Sequence, residues 1–152
     1  MRARLRLRRR DDGAAAVEFA LLLVLFVTLL FGLIQYGMYF YSSQTGSSVA
    51  GRALREVTVG NCQPSADLQT YITNGLSGAA AGAVTNVTRT YTHTNGTTTT
   101  NPALAQVGDQ VVLTFTYPDV NLHFPFVPFL SNDTITKSVQ GLVEDTASQG
   151  CS

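Results

Sequence analysis

From Phe19 to Ile34 the chain runs sixteen residues without a charge, and apart from Thr28 and Gly32 all of them are Ala, Val, Leu, Ile or Phe. With Ala14–Val17 in front and the residues to Met38 behind, the stretch reaches about 25 residues, interrupted by Glu18, Thr28 and Gln35. In lipid, backbone polar groups must be satisfied within the segment itself, so such a run folds as a helix. At ~1.5 Å per residue it exceeds the ~30 Å hydrocarbon thickness of a bilayer. The expectation is a single transmembrane helix over residues 14–38.

The flanks orient it. Six of the ten basic residues, Arg2, Arg4, Arg6, Arg8, Arg9 and Arg10, stand in the first ten positions. Beyond Gly13 four basic residues face eight acidic ones, so the zero formal charge hides a basic end and an acidic remainder. An arginine tract can mark a nucleic-acid partner. Next to an apolar run, the preference of positive charge for the cytoplasmic side accounts for it more economically, and no nucleic-acid partner is expected. Tyr36, Tyr39, Phe40 and Tyr41 cluster at the other end, where amphipathic rings favour the membrane–water boundary. The reading is a cell-membrane protein with a cytoplasmic N-terminus and an extracytoplasmic C-terminal head. A cleaved secretory signal is the competing explanation. The apolar stretch is long for one, and Ser-Ser-Gln-Thr-Gly-Ser-Ser follows Tyr41 where an Ala-x-Ala-like site would be needed.

Past Tyr41 the helix is expected to continue as a neck over residues 39–60. Val49, Ala50, Ala53, Leu54 and Val57 recur at helical spacing, with Arg52, Arg55 and Glu56 as a polar side. Gly46, Gly51 and the serines permit close helix–helix approach.

Glu18 is the residue out of place. A charge in a membrane-crossing stretch costs on the order of 3 kcal/mol and is a functional hypothesis by default. It lies only five positions past Gly13, so snorkelling to the interface is the structural alternative. The sequence Gly13-Ala14-Ala15-Ala16-Val17-Glu18-Phe19, behind a basic leader and opening an apolar helix, resembles the processing site of type IV prepilins and pseudopilins. It is most similar to the Tad (tight adherence) version, in which the cut glycine is followed by four residues and a Glu-Tyr pair; here Phe19 replaces the tyrosine. Together with Phe31-Gly32-Leu33-Ile34 and Tyr36-Gly37, the first fifty residues resemble the TadE-like family of minor pseudopilins. The resemblance implies a prepilin peptidase as processing partner, cutting between Gly13 and Ala14 and removing the basic leader, residues 1–13. It also implies that Glu18 and Phe19 serve assembly, the Glu18 carboxylate pairing with the new Ala14 amine of its own chain or of a neighbouring pilin or pseudopilin subunit.

The remaining residues, 61–152, suffice for one modest head. Ser65 is expected to cap a helix carrying Leu68, Tyr71, Ile72, Leu76 and Ala79 on one stripe. Val84–Thr92, Gln110–Tyr117 and Thr134–Val143 read as strands from their Val, Thr and aromatic content. The fold class is therefore α+β: a long N-terminal helix, a second helix and an antiparallel sheet of about three strands. Residues 118–133 interleave Pro118, Pro125 and Pro128 with Phe124, Phe126 and Phe129, which breaks ladder pairing. Those phenylalanines can cap the core, touch the membrane surface or face a partner.

Cys62 and Cys151 are the only cysteines, and both fall outside the membrane in this topology. An even count in an oxidising compartment favours one disulfide, with two unpaired thiols as the alternative. Closing a loop of roughly ninety residues contributes about 4 kcal/mol in the chain-entropy treatment. His93 and His123 have neither ligand spacing for a metal nor a nearby acidic partner that suggests a catalytic triad. No phosphate loop or dinucleotide fingerprint is present. No enzyme activity, cofactor or metal is expected. The reading is a membrane-anchored structural protein taking part in assembly of a Tad-type pilus or secretion apparatus. The alternative is a single-pass anchored binding module unrelated to filaments.

Overall fold

The computed structural model describes residues 11–60, 64–80, 82–124 and 133–146, with side chains from Gly13 onward. Among these residues the order is α1 (Asp11–Thr58), α2 (Ser65–Gly75), β1 (Thr85–Thr92), β2 (Thr98–Thr99), a 3-10 turn (Pro102–Leu104), β3 (Gln110–Pro118) and β4 (Thr134–Leu142). This is the expected α+β arrangement, with four strands rather than about three. The additional strand, β2, is two residues long, too short to show an alternating pattern. It exists because the Asn95-Gly96 turn, with Gly96 at φ 83°, folds Thr98 and Thr99 back against Thr92 and Tyr91.

The sheet is antiparallel throughout, in the order β2-β1-β3-β4. β3 alternates as its sequence demands. Val111, Leu113, Phe115 and Tyr117 are buried on one face. On the other, Thr114 Oγ1 donates to Ser138 Oγ at 3.0 Å and the Thr116 and Thr136 hydroxyls meet at 2.9 Å, a polar ladder toward solvent. Helix α2 starts at Ser65, but Pro64 occupies the cap position and no side chain caps the helix. The Pro64 carbonyl accepts from Asp67 N and Leu68 N, and Ser65 Oγ instead accepts from Arg89 Nη2 at 3.2 Å. Of the expected stripe, Leu68 and Ile72 are buried within α2, while Leu76 and Ala79 are buried past its end. There the chain turns through Gly78 at φ 82°.

α1 is continuous, and its outer half is part of the head. Val49, Ala50, Ala53 and Val57 lie in one core with Leu68, Ile72 and Leu76 and with the inner face of β3. On α1 the buried positions Gln35, Ser42, Gly46, Val49, Ala53 and Val57 recur every three, four or seven residues, a single face. Small side chains let the partners close. A Cβ at Gly46 would stand 2.7 Å from Tyr117 Cζ, so the glycine is the notch that seats this ring, and Tyr117 Oη donates to Ser42 O at 2.9 Å. A Cβ at Gly75 would come within 3.0 Å of Val49 Cγ2, and one at Gly141 within 3.2 Å of Leu54 Cδ2. The close approach at Gly46 is thus helix to sheet, while the Gly51 Cβ position is open. Beyond β4, Glu144 N and Asp145 N both donate to Thr58 O, at 2.8 and 3.2 Å, tying the end of α1 to the far end of the sheet.

The notch is testable by thermal or urea unfolding of detergent-solubilised protein. Gly46→Val overpacks a fully buried contact and displaces the Tyr117 hydroxyl, for an expected loss of about 2–4 kcal/mol. Gly51→Ala, on the open side of the same helix, is expected to leave stability unchanged or raise it by up to ~1 kcal/mol.

Candidate assembly and membrane surface on the N-terminal helix

At its base the helix is bare. Residues 13–26 are exposed on every side, and Phe19 and Leu33 stay 66% and 75% exposed, so no part of the described chain covers them. Among the described residues this is the one helix long and apolar enough to cross a membrane. A core helix of a water-soluble protein would bury such a surface against its own chain; here none of the most apolar window is buried. The arrangement supports anchoring in a membrane.

Gly13 sits in the first turn of α1 with open space around it. Ala14 and Glu18 are four residues apart, so they share a face, separated by ~6 Å of helical rise. Glu18 and Phe19 are exposed, and Glu18 has no ion-pair or hydrogen-bond partner among the described residues. A group placed at the Ala14 nitrogen, or carried by a neighbouring helix, can reach that carboxylate.

At the outer end the helix meets a loop. Gln35, 2% exposed, donates from Nε2 to Val120 O at 3.1 Å and accepts at Oε1 from Leu122 N at 3.0 Å. The side-chain amide thus stands in for a strand, satisfying a donor and an acceptor of the loop after β3. One turn earlier on the helix, Phe31 stacks on Phe124, with ring centroids 4.5 Å apart and planes 7° from parallel. One and a half to two turns above Gln35, the Ser42 hydroxyl donates to Ala79 O. Asp119 lies beside Ser42, buried, its Oδ1 accepting from Val120 N at 2.7 Å and its Oδ2 without a donor. Burial pushes its carboxyl above the usual range, and the nearby Asp133 adds to the rise, against the lowering by the Val120 N–H and Ser42. Burial also pushes the Tyr117 phenol up to about 12, so it remains a neutral donor to the helix.

Of the candidate residues read from sequence, Gly13, Ala14, Glu18 and Phe19 thus share the bare base of α1, and Phe124 lies far along it against Phe31. Phe126, Phe129, Cys62, Cys151 and the leader before Asp11 lie outside the described residues. Gln35 and Asp119 carried no signal of this kind, because their roles arise from contacts between segments far apart in the chain. The histidines require a correction. His93 does have an acidic partner: its Nδ1 is 2.7 Å from Asp109 Oδ2. β1 and β3 are adjacent, which brings the residue after β1 beside the residue before β3. Asp109, 1% exposed, also accepts from Gln106 N at 2.7 Å, and its carbonyl accepts from Val143 N. The pair fastens the far end of the sheet. Among the described residues no three His, Cys, Asp or Glu side chains gather as metal ligands.

Asp119 yields a pH prediction. Its folded-state pKa is raised, so the folded protein holds that proton more tightly than the unfolded chain. The associated stability is present below the ordinary carboxylate value of 3.8 and is lost as pH rises through the folded value. Asp119→Asn cannot ionise. Melting temperatures of both proteins across a pH series are expected to show the wild type losing ground to the variant as pH rises above about 4, with the contributions of other carboxylates cancelling in the difference.

Comparison with known proteins supports the reading of the first fifty residues. The family model described as TadE-like protein matches residues 13–55. No curated protein and no solved structure matches the chain. The match covers Gly13, Glu18, the apolar helix and most of the face of α1 that enters the head, and over these residues the chain is similar to TadE-like proteins.

Proposed function

We propose that this chain is a minor pseudopilin-like structural component of a Tad-type pilus or secretion apparatus, not an enzyme, and that it is assembled through α1. The observation that carries the reading is the position of Glu18: a carboxylate with no partner among the described residues, one helical turn from the Gly13–Ala14 junction, on an exposed apolar helix inside the TadE-like segment. In this reading the arginines lie in the cytoplasm and the head lies on the other side of the membrane. A prepilin peptidase removes residues 1–13, and Ala14 acquires an α-amine with an ordinary pKa of ~7.7–8.0, largely protonated at pH 7. Glu18 pairs with that amine or with the same amine of an adjacent pilin or pseudopilin subunit. Unpaired, each charge would oppose insertion; paired, they register the helices at one depth while desolvation limits the net gain. The bare apolar surface from Phe19 to Leu33 then serves first lipid and afterwards neighbouring helices.

Intact-mass measurement of membrane-extracted protein is expected to show a chain beginning at Ala14. Glu18→Gln keeps the side-chain volume and removes the charge. It is expected to insert and to be processed normally but to lose co-purification with the other pilus subunits. A chain that retains its arginines, or a Glu18→Gln protein that assembles as well as wild type, overturns the reading.

A further inference from the structure

The loop after β3 reaches the helix at a depth where a water-exposed head has no reason to go. If the hydrocarbon core begins at Phe19, its ~30 Å take up ~20 residues and end near Met38. Phe31 then lies ~18 Å into the core and Gln35 ~24 Å. If it begins at Ala14 instead, the same residues lie at ~26 and ~32 Å. In both registers they occupy the outer half of the core or its outer boundary. Phe124 stacks on Phe31, and Val120 and Leu122 bond to Gln35, so the loop is held at that depth.

We infer that residues 120–124 are a second membrane-contacting element, seated in the outer leaflet of a phospholipid bilayer beside α1, with Leu122 and Phe124 against acyl chains. The inference rests on the reading of α1 as a membrane anchor with the head outside. Polarity along the loop agrees with it. At its base Asp119 lies by Ser42, Asp119 N donates to Asp133 O at 2.9 Å, and Lys137 Nζ donates to Ser43 Oγ at 2.8 Å. These groups stand ~10–12 Å above Gln35 along the helix, at headgroup level. At its lower end Leu122, whose backbone N–H bonds Gln35, is 41% exposed, at a level where α1 also exposes Leu33 and Ile34. His123, exposed between Leu122 and Phe124, sets the depth at the headgroup–acyl boundary, where a ring with a polar edge is tolerated. The Gln35 amide is the device that makes this possible. Without this pairing, the amide and two loop backbone groups would face hydrocarbon unsatisfied, at a cost of several kcal/mol.

The chain contains no tryptophan, so single Trp substitutions report position directly. Leu122→Trp, Leu33→Trp and Val107→Trp proteins are reconstituted in phosphatidylcholine–phosphatidylglycerol vesicles carrying lipids brominated at different acyl depths. Leu33→Trp reports the anchor, and Val107→Trp, beside the far end of β3, reports the aqueous face of the head. The expected result is blue-shifted Leu122→Trp emission, quenched most strongly by shallow bromines and protected from acrylamide, with Val107→Trp showing the reverse. If Leu33→Trp is lipid-quenched and Leu122→Trp behaves like Val107→Trp, the loop inference falls and the anchor stands. If Leu33→Trp escapes lipid quenching, the anchor reading falls and takes the inference with it. Blue-shifted but lipid-insensitive Leu122→Trp emission that reverts on dilution of protein in lipid would show a second copy covering the loop, and it too overturns the proposal.

Discussion

Between Ser42 and Val57, α1 is held against its head by side chains too small to keep the two apart. Gly46 admits the Tyr117 ring, Gly75 admits Val49, Gly141 admits Leu54, and Ala50 and Ala53 complete the contact surface. Close packing of this kind is short-ranged: dispersion falls away within an ångström of gap, so the contact is either made or lost. Because α1 is one continuous hydrogen-bonded helix, fixing its outer half in the core also fixes how its inner half leaves the head. The depth and rotation of Glu18 relative to the sheet follow from contacts that α1 makes between Ser42 and Val57, several turns further along the helix.

The same helix changes its surroundings once along its length, and the change is marked by polar groups. Over residues 13–26 its surface is exposed on every side; from Gln35 outward, one face is buried by protein. At the transition stand Gln35, Ser42, Asp119 and the Tyr117 hydroxyl, each buried and, except for one Asp119 oxygen, hydrogen-bonded. Buried polar groups are satisfied in only one arrangement, whereas apolar surfaces slide past each other at little cost. The rung formed by Gln35 and the loop therefore sets the register of head on helix, and the small residues above it supply the attraction. Asp119 is the group in this rung whose ionisation works against burial, so the junction between head and anchor is also where the fold is sensitive to pH.

The far end of the sheet is closed by a different device. Asp109 gathers His93, Gln106 N and, through its carbonyl, Val143 N, while Thr58 O receives Glu144 N and Asp145 N. Both ends of β3 are thus tied to elements distant in sequence. The middle of the strand is held by its ladders to β1 and β4 and by its apolar face.

Local pattern was enough for much of this protein. An uncharged apolar run admits one backbone solution in lipid, so the helix over residues 14–38 was legible from composition and length. Gly13 and Glu18 stand in a segment short enough to read as a motif. The strands were legible to within a residue or two because a half-buried strand must alternate, as Val111, Leu113, Phe115 and Tyr117 do. β2 was not legible, since two threonines carry no period, and the Ser65 cap was misread because Pro64 already supplies the extended geometry that a cap requires. What only tertiary structure decided were the contacts closed across long stretches of chain. Gly46 serves the sheet rather than another helix, Gln35 is a ligand for loop backbone rather than a tolerated polar residue, and His93 has a carboxylate beside it. Side-chain periodicity records which face of an element is buried, but not what buries it; that depends on which surfaces fit when the chain is folded.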